Sequence, residues 1–163
     1  MPNNLASLAA SARARLLAAV ASPLIQAEAD DANVTVVLGA PVAVAVDGNN
    51  TVVSATFTRP KVVDGVTTTE TINSLKFYYN RNPIGEFLTP QYSTAETPVL
   101  IPFNYTTVST TNALIPLIAA HYGVTLLEED IVLEAFSGIP TITATATSLG
   151  WTGTHTFPEY VAP

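Results

Sequence analysis

Within residues 1–80, a segment with helical spacing of apolar residues precedes a segment with the alternation of strands. Residues 5–22 are rich in Ala and Leu, contain no Gly or Pro, and place Leu5, Leu8 and Leu16 on one stripe, which predicts a helix with one apolar face. Pro23 either ends this helix or precedes one further turn. From residue 34 onward large and small residues alternate, as is typical of strands with one buried face.

Turn signals separate the predicted strands. The segment 47–50, with the sequence Asp-Gly-Asn-Asn, is a strong turn signal. Within residues 62–67 the dipeptide at positions 64–65, Asp-Gly, predicts a two-residue hairpin with a primed turn. The other strands predicted in this half cover residues 34–38, 41–46, 51–58 and 74–79.

Prolines interrupt the middle of the chain. Pro83, Pro90, Pro98 and Pro102 fall within residues 80–104, and a regular helix or strand does not survive that density of fixed φ angles and missing N–H donors. We expect an extended linker or arm here, because long segments without regular structure are usually functional or linking.

A second pattern of helix and strands follows the Pro-rich segment. Residues 112–122 predict a helix that Gly123 terminates, and Pro116 is compatible with this helix only in its first turn. Further strands are predicted at residues 131–134, 141–147 and 150–157.

The two halves present their elements in the same order of helix, acidic connector and strands. Residues 51–58 also match residues 141–148 closely in sequence. We interpret this as a degenerate duplication and predict an α+β fold of two β-rich modules, each a helix packed on a small, mostly antiparallel, sandwich-like sheet. The predicted modules are residues 1–80 and 109–163, joined by an extended Pro-rich arm at residues 81–108.

Charged residues are unusually scarce. They make up 12% of the 163 residues, against about 25% in typical globular chains, so Ala, Val, Thr and Pro must cover much of the surface. Such a surface favours contact with neighbouring subunits over contact with water. The net charge of −7 argues against a nucleic-acid surface, and no apolar run reaches the roughly 18 residues of a membrane span.

Residues with catalytic or metal-binding potential form no recognisable set. The chain has no Cys and two His, His121 and His155, which excludes thiolate and three-His metal sites. We expect His121 to complement the end of its helix, or to contact the acids at 128–130, and His155 to face solvent or a partner. Neither acidic cluster, at residues 28–31 or 128–130, has the spacing of a calcium loop.

Motifs for enzymatic chemistry are equally missing from the sequence. It contains no nucleophile elbow, no phosphate-binding loop and no carboxylate pair that spacing selects. We therefore expect no enzyme activity, no metal and no other cofactor.

Several short motifs in the second half follow one another in a recognisable order. They are the helix end Tyr122-Gly123, the acidic turn at residues 129–131, the Thr-rich strand 142–146 and the segment Gly-Trp-Thr-Gly at 150–153. Together with residues 77–84 they resemble a repeat in virion structural proteins of large (jumbo-type) tailed bacteriophages, over most of residues 12–160. The first half lacks the Tyr-Gly helix end of that pattern.

The resemblance implies a component of the virus particle that is assembled in the host cytoplasm, without implying which part of the particle. We therefore predict a non-enzymatic structural protein of the virion, in a capsid decoration, neck or collar, or tail. Its partners would be other copies of itself and other virion proteins, with no nucleic acid and no membrane.

Docking would use strand edges and the arm at residues 80–104, with aromatic and apolar side chains as anchors. The predicted interface residues are Phe77, Tyr78, Tyr79, Ile84, Phe87, Tyr92, Phe103, Tyr105 and Trp151. The alternative is a carbohydrate- or receptor-binding β-rich adhesion module, because aromatic side chains also stack on sugars.

Overall fold

The computed structural model describes residues 13–14, 16–17, 21–88 and 103–162. The described residues form two compact units, the first ending at Arg81 and the second beginning at Asn82. Both combine short helices with β-structure in which almost all pairings are antiparallel. The α+β class predicted from the sequence is therefore confirmed.

A four-stranded antiparallel sheet forms the first unit. Its strands are β1 (Thr35–Leu38), β2 (Val42–Val46), β3 (Asn49–Val63) and β4 (Val66–Tyr79). Strand β4 pairs with β3 along its whole length, and β1 and β2 share the other side of β3, one after the other. Two of these strands are much longer than the sequence pattern predicts, because β3 and β4 continue to the hairpin turn.

Both Asp-Gly turns have the backbone that a tight hairpin requires. Asp47 and Gly48 have φ of 50° and 76°, and Asp64 and Gly65 have φ of 51° and 77°. Positive φ at both central residues defines the primed turn whose twist matches that of the flanking strands. The predicted hairpin at residues 64–65 is confirmed.

The helix α1 (Pro23–Asp30) precedes the sheet. The Ser22 hydroxyl accepts a hydrogen bond from the Ile25 N–H at 3.5 Å, and Pro23 occupies the first helical position, where its missing N–H costs nothing. Pro23 thus begins a helix, and Glu28 and Asp30 lie in that helix rather than in a connector. Of the predicted helix 5–22, residues 13–14 and 16–17 are helical; the remainder lies outside the described residues, except residues 21–22, which are not helical.

The second unit surrounds its own apolar core with short elements. These are β5 (Asn82–Pro83), α2 (Ile84–Phe87), α3 (Thr111–Tyr122), a 3₁₀ turn (Glu128–Asp130), β6 (Thr141–Thr143), β7 (Trp151–Thr152) and β8 (Thr154–Thr156). Strands β5 and β7 pair in parallel, and β6 pairs antiparallel with β8. The largest buried side chain is that of Trp151, which packs with Ile84, Leu88 and Leu114.

Helix α3 confirms the predicted helix and corrects the expectation for its proline. Gly123 ends the helix with φ of 68°, and its N–H donates to the Ala119 carbonyl at 3.0 Å. Pro116 is the sixth residue of the helix rather than part of its first turn, so one backbone hydrogen bond is missing. Burial of Leu114 and Ile118, which are fully inaccessible to solvent, compensates for that loss.

Two of the strands predicted in the second half do not form as continuous strands. Residues 131–134 form only an isolated bridge at Ile131, because the Thr111 hydroxyl takes the place of a neighbouring strand: it donates to the Val132 carbonyl and accepts from the Glu134 N–H, each at 2.9 Å. The predicted strand 150–157 is split at Gly153, which has φ of 84°.

The described ends of the predicted Pro-rich arm are packed into the second unit. Ile84 and Leu88 are completely buried, and Phe103 is 4% exposed. Asn82 also donates its N–H to the Gly150 carbonyl at 2.9 Å. Residues 82–88 and 103–108 are therefore part of a folded core rather than of a linker, and residues 89–102 lie outside the described residues.

The two segments that suggested a duplication differ in their pairing. Residues 51–58 lie in β3, which has strands on both sides, whereas only residues 141–143 of the second segment form a strand, with β8 as its single partner among the described residues. Similar alternation in sequence thus accompanies different sheet environments.

Candidate interaction surface

A two-stranded projection extends beyond the rest of the first sheet. The last pairing of β1 with β3 joins Thr35 to Thr58, so from Arg59 to Glu70 the β3–β4 hairpin has no further strand beside it among the described residues. At about 3.3 Å per residue this hairpin arm, residues 59–70, projects about 16 Å. All of its residues are exposed on both faces except the half-buried Glu70.

One face of the hairpin arm carries the charged residues of its two strands, whereas Asp64 lies in the turn at its tip. The Glu70 carboxylate accepts from Lys61 Nζ at 2.8 Å and forms an ion pair with Arg59 Nη2 at 3.1 Å. These hydrogen bonds, the one from Lys61 first, lower the pKa of Glu70. Because all three groups are in contact with solvent, the pairs fix the geometry of this face more than its stability.

The opposite face of the arm is uncharged and continues onto the body of the sheet. Directly opposed residues of antiparallel strands point to the same side. We define the open face as the even-numbered residues of β3 from Val52 to Val62 together with the residues paired to them on β1, β2 and β4. Lys76 is the only charged residue in this set of described residues, which consists mainly of Val, Thr and Ser.

Apolar members of the open face are exposed to solvent. Val37 is 57% exposed, Val42 58% and Val62 68%. The other face of the same sheet is covered, since Val53, Ala55 and Phe57 are buried. Asn73 on that covered face donates to Glu28 Oε2 of α1 at 3.1 Å. The sheet therefore has a helix on one side and an exposed, nearly uncharged surface on the other.

Most of the predicted interface residues lie in the cores of the two units. Phe77 and Tyr79 are buried on the covered face of the sheet, and the buried residues of the second unit include Ile84, Phe103, Tyr105 and Trp151. Phe87 is half-buried, with its ring edge-on to that of Trp151 at 5.3 Å. These side chains hold the fold together and offer little to a partner.

Tyr78 is the exposed member of the predicted set, at 44%, and it belongs to the open face. Tyr92 lies outside the described residues. Sequence reasoning missed the valines at positions 37, 42 and 62, which are apolar and exposed. The signal for them is the run from Val52 to Thr58, in which both alternating faces lack charge.

Aromatic residues also line an open groove of about 510 Å³ on the second unit. The Tyr105 hydroxyl fixes one wall by donating to the Pro158 carbonyl at 3.2 Å and accepting from the Tyr160 N–H at 3.0 Å. Phe136 and Glu159 add an aromatic ring and a carboxylate to the lining. The groove has the mixed aromatic and polar lining that a small polar ligand needs.

Both histidines pack against aromatic rings of the second unit. His121 lies in the last turn of α3, with its ring against those of Phe103 and Tyr122 at 5.4 and 4.7 Å. His155, which was expected to face solvent or a partner, is half-buried; its Nε2 atom is buried, and its ring packs edge-on against Phe157 at 4.8 Å. This desolvation lowers the pKa of His155.

The acidic clusters serve the fold in the described structure. Asp130 is 2% exposed; its Oδ1 accepts from the Ser148 hydroxyl at 2.8 Å and its Oδ2 from the Leu127 N–H at 3.0 Å. Asp31 Oδ1 accepts from the Asn33 N–H at 2.8 Å. Within the described ranges, no three side chains of the metal-binding types come together.

Tyr79 supplies a pH-dependent test of the first unit. Burial raises the pKa of its hydroxyl to about 12, with a small opposing effect of Arg81, and the hydroxyl has no hydrogen-bond partner among described residues. The unfolded value is about 10. Because the folded state disfavours the phenolate, stability is intact below pH 10 and falls as the pH rises from about 10 to 12.

We expect Tyr79→Phe to leave the free energy of unfolding at pH 7 unchanged or slightly higher, since it removes an unsatisfied polar group, and to reduce the loss of stability above pH 10. The measurement is denaturant unfolding followed by circular dichroism between pH 7 and 11. The exposed neighbour Tyr78 provides the control variant Tyr78→Phe. An identical pH dependence in both variants would contradict this role of Tyr79.

The chain belongs to DUF7941, a family of unknown function, whose model matches residues 13–161. Comparison with curated proteins and with solved structures gives no match. In the part of the chain that the structure describes, no helix is both long and apolar enough to cross a membrane.

Proposed function

We propose that this protein is a non-enzymatic structural component of a tailed-phage virion that acts through contacts between subunits. It would form part of a capsid decoration, of a neck or collar, or of the tail. The virion that contains it would be assembled in the host cytoplasm. The resemblance of residues 112–153 to a repeat of virion structural proteins supports the viral context. The sparse charge of the whole chain supports the role of subunit contacts.

The open face and the hairpin arm are the observation that carries this proposal. A soluble monomer normally covers the solvent side of an antiparallel sheet with charged and polar residues. Here that side carries one charged residue, Lys76, among Thr, Ser and exposed Val, and the hairpin arm beyond it ends in exposed Val62, Val63 and Val66. A two-stranded hairpin is only marginally stable alone, so a subunit that covers the arm would stabilise it.

The same proposal includes the two modules, their sandwich-like sheets and the Pro-rich arm predicted from the sequence. The two units would be the two modules predicted from the sequence. The sandwich-like arrangement would require a second sheet over the open face, because the other face of the sheet is already buried. For residues 89–102, which lie outside the described residues, the extended Pro-rich arm remains a prediction.

The test is to measure the protein in particles of a phage that encodes it. We expect mass spectrometry of purified virions to find the chain in constant proportion to the other structural proteins. The double variant Val62→Glu/Val63→Glu should reduce this proportion at least ten-fold, since it places charges on the tip of the hairpin arm. The control is Leu24→Glu, at a site 83% exposed on α1. A chain that is abundant in infected cells and absent from virions would contradict the proposal.

The groove on the second unit favours the second candidate, a carbohydrate- or receptor-binding adhesion module. Phe136 and Tyr160 offer their half-buried rings beside the polar Glu159. A glycan array separates the two functions: specific binding that Tyr160→Ala abolishes, together with unchanged binding by the hairpin-tip variant, would favour adhesion.

A further inference from the structure

The distribution of charge over the chain bears on which molecule can bind the open face. The chain carries a net charge of −7, so two copies repel each other over most approaches. The open face contains no carboxylate and one Lys76. Two copies that meet through this face bring no acidic groups together and bury no carboxylate, which avoids the desolvation cost that such groups would add.

The size of the open face fits a dimer of moderate affinity. On β3 the face runs from Val52 to Val62, which corresponds to a length of about 36 Å, and three neighbouring strands, present as far as Thr58, span about 14 Å. The resulting area of roughly 500 Å² per copy is below the roughly 800 Å² per partner of a standard stable interface. We therefore expect the dimer to form at micromolar rather than nanomolar concentrations.

The side chains of the open face are suited to packing against an identical face. Val and Thr are branched at Cβ and lose little rotamer freedom on docking. Faces of this kind stack as two sheets about 10 Å apart with their strands nearly aligned. Tyr78 is the largest of these side chains, and it lies in the row of Val52 and Val42 at one end of the face.

A two-fold arrangement also covers the hairpin arm. Val52 and Val62 are each five residues from Phe57 along β3. An axis that lies between two stacked sheets and crosses the strands at Phe57 sets Val62 of one copy over Val52 of the other. The arm of each copy then lies on the sheet of its neighbour, and the exposed row of Val62 and Thr67 meets the row of Tyr78.

We propose that the open face is the contact surface of a symmetric homodimer, in which two copies stack sheet on sheet and each hairpin arm covers the sheet body of the other copy. This inference rests on the proposed function, since it names the partner of the same surface. The sheets of the two protomers would together form the two layers of a sandwich.

Sedimentation velocity of the purified full-length chain tests the dimer. We expect a mass of twice 17.1 kDa at tens of micromolar. Thr67→Glu should raise the dimer dissociation constant at least ten-fold, because its carboxylate would be buried against the row of Tyr78. The matched control is Thr68→Glu, which places the same charge on the next residue of β4, exposed on the opposite face, and should leave the dimer unchanged.

Circular dichroism should show that both variants are folded, as expected for substitutions at exposed positions. Their dissociation constants can then be compared directly. A wild-type chain that stays monomeric at several hundred micromolar overturns the inference. Equal weakening by Thr67→Glu and Thr68→Glu overturns it as well, since the contact would not lie on the open face.

Particle incorporation distinguishes failure of the dimer from failure of the proposed function. If the wild-type chain is monomeric, enters virions and is excluded from them by Thr67→Glu, the open face binds another virion protein; the homodimer is then overturned and the proposed function stands. If the chain dimerises as described and is absent from virions, the dimer stands and the virion function falls.

Discussion

Replacing Asp130 with alanine is expected to destabilise the second unit by about 2–5 kcal/mol, because two donors lose their acceptor inside the protein. The Ser148 hydroxyl donates to Oδ1 and the Leu127 N–H to Oδ2. The same hydroxyl accepts from the Trp151 N–H at 3.0 Å, so loss of the carboxylate also loosens the turn that seats the largest core side chain. The chain contains one Trp, and its fluorescence therefore reports on this unit during denaturant unfolding.

Two further variants sharpen the Asp130 experiment. Asp130→Asn keeps one oxygen acceptor and should lose roughly half as much stability as Asp130→Ala, because one of the two hydrogen bonds survives. Glu128→Ala, at an exposed position two residues earlier in the same 3₁₀ turn, should stay within about 0.5 kcal/mol of the wild type. Equal stability of Asp130→Ala and Glu128→Ala would show that the buried carboxylate contributes nothing to the fold.

Asp130 illustrates what a single sequence does not reveal. In sequence it is one of three consecutive acids, for which surface or metal-binding roles are the natural hypotheses. Its role depends on Ser148, which is 18 residues away along the chain. Nothing in the local pattern distinguishes Asp130 from Glu129, because burial is set by the tertiary placement of the turn.

Features whose causes are local were predictable. The left-handed backbone at Gly123 and the primed turn at residues 64–65 follow from residues within one or two positions. The alternation in β3 predicted a strand with one buried face. The strand predicted at residues 131–134 failed for a non-local reason, since the Thr111 hydroxyl satisfies backbone groups that a neighbouring strand would otherwise bind.

The candidate surface was only partly predictable for a related reason. The sequence analysis selected aromatic residues as interface anchors. A hydrophobic core also needs large side chains, and Trp151 and Phe103 lie in the core of the second unit. Tyr78 alone among the described candidates is exposed, because it alternates with the buried Phe77 and Tyr79 on one strand. Which face of that strand becomes buried is set by tertiary packing, which the alternation itself does not encode.

Leu88→Ala is the second substitution for which we expect a large loss of stability. It tests whether the first residues of the Pro-rich segment, 82–88, belong to the core or to a linker. The Leu88 side chain is completely buried with Phe103 and Trp151, and the Leu88 N–H donates to the Ile84 carbonyl at 3.2 Å. We expect Leu88→Ala to lower the free energy of unfolding of the second unit by about 2–5 kcal/mol, the range for truncation of a buried leucine that leaves a cavity. A residue in an extended linker would change it by less than about 0.5 kcal/mol.

The same substitution at an exposed leucine separates burial from side-chain chemistry. Leu133 lies in the second unit and is 54% exposed, so Leu133→Ala should cost well under about 1 kcal/mol in the same Trp151 fluorescence assay. Both variants remove the same atoms, and only the cavity and the loss of buried contacts differ between them. Nearly equal losses for Leu88→Ala and Leu133→Ala would mean that residues 82–88 do not belong to the core, and the linker predicted from the prolines would then begin at residue 81 after all.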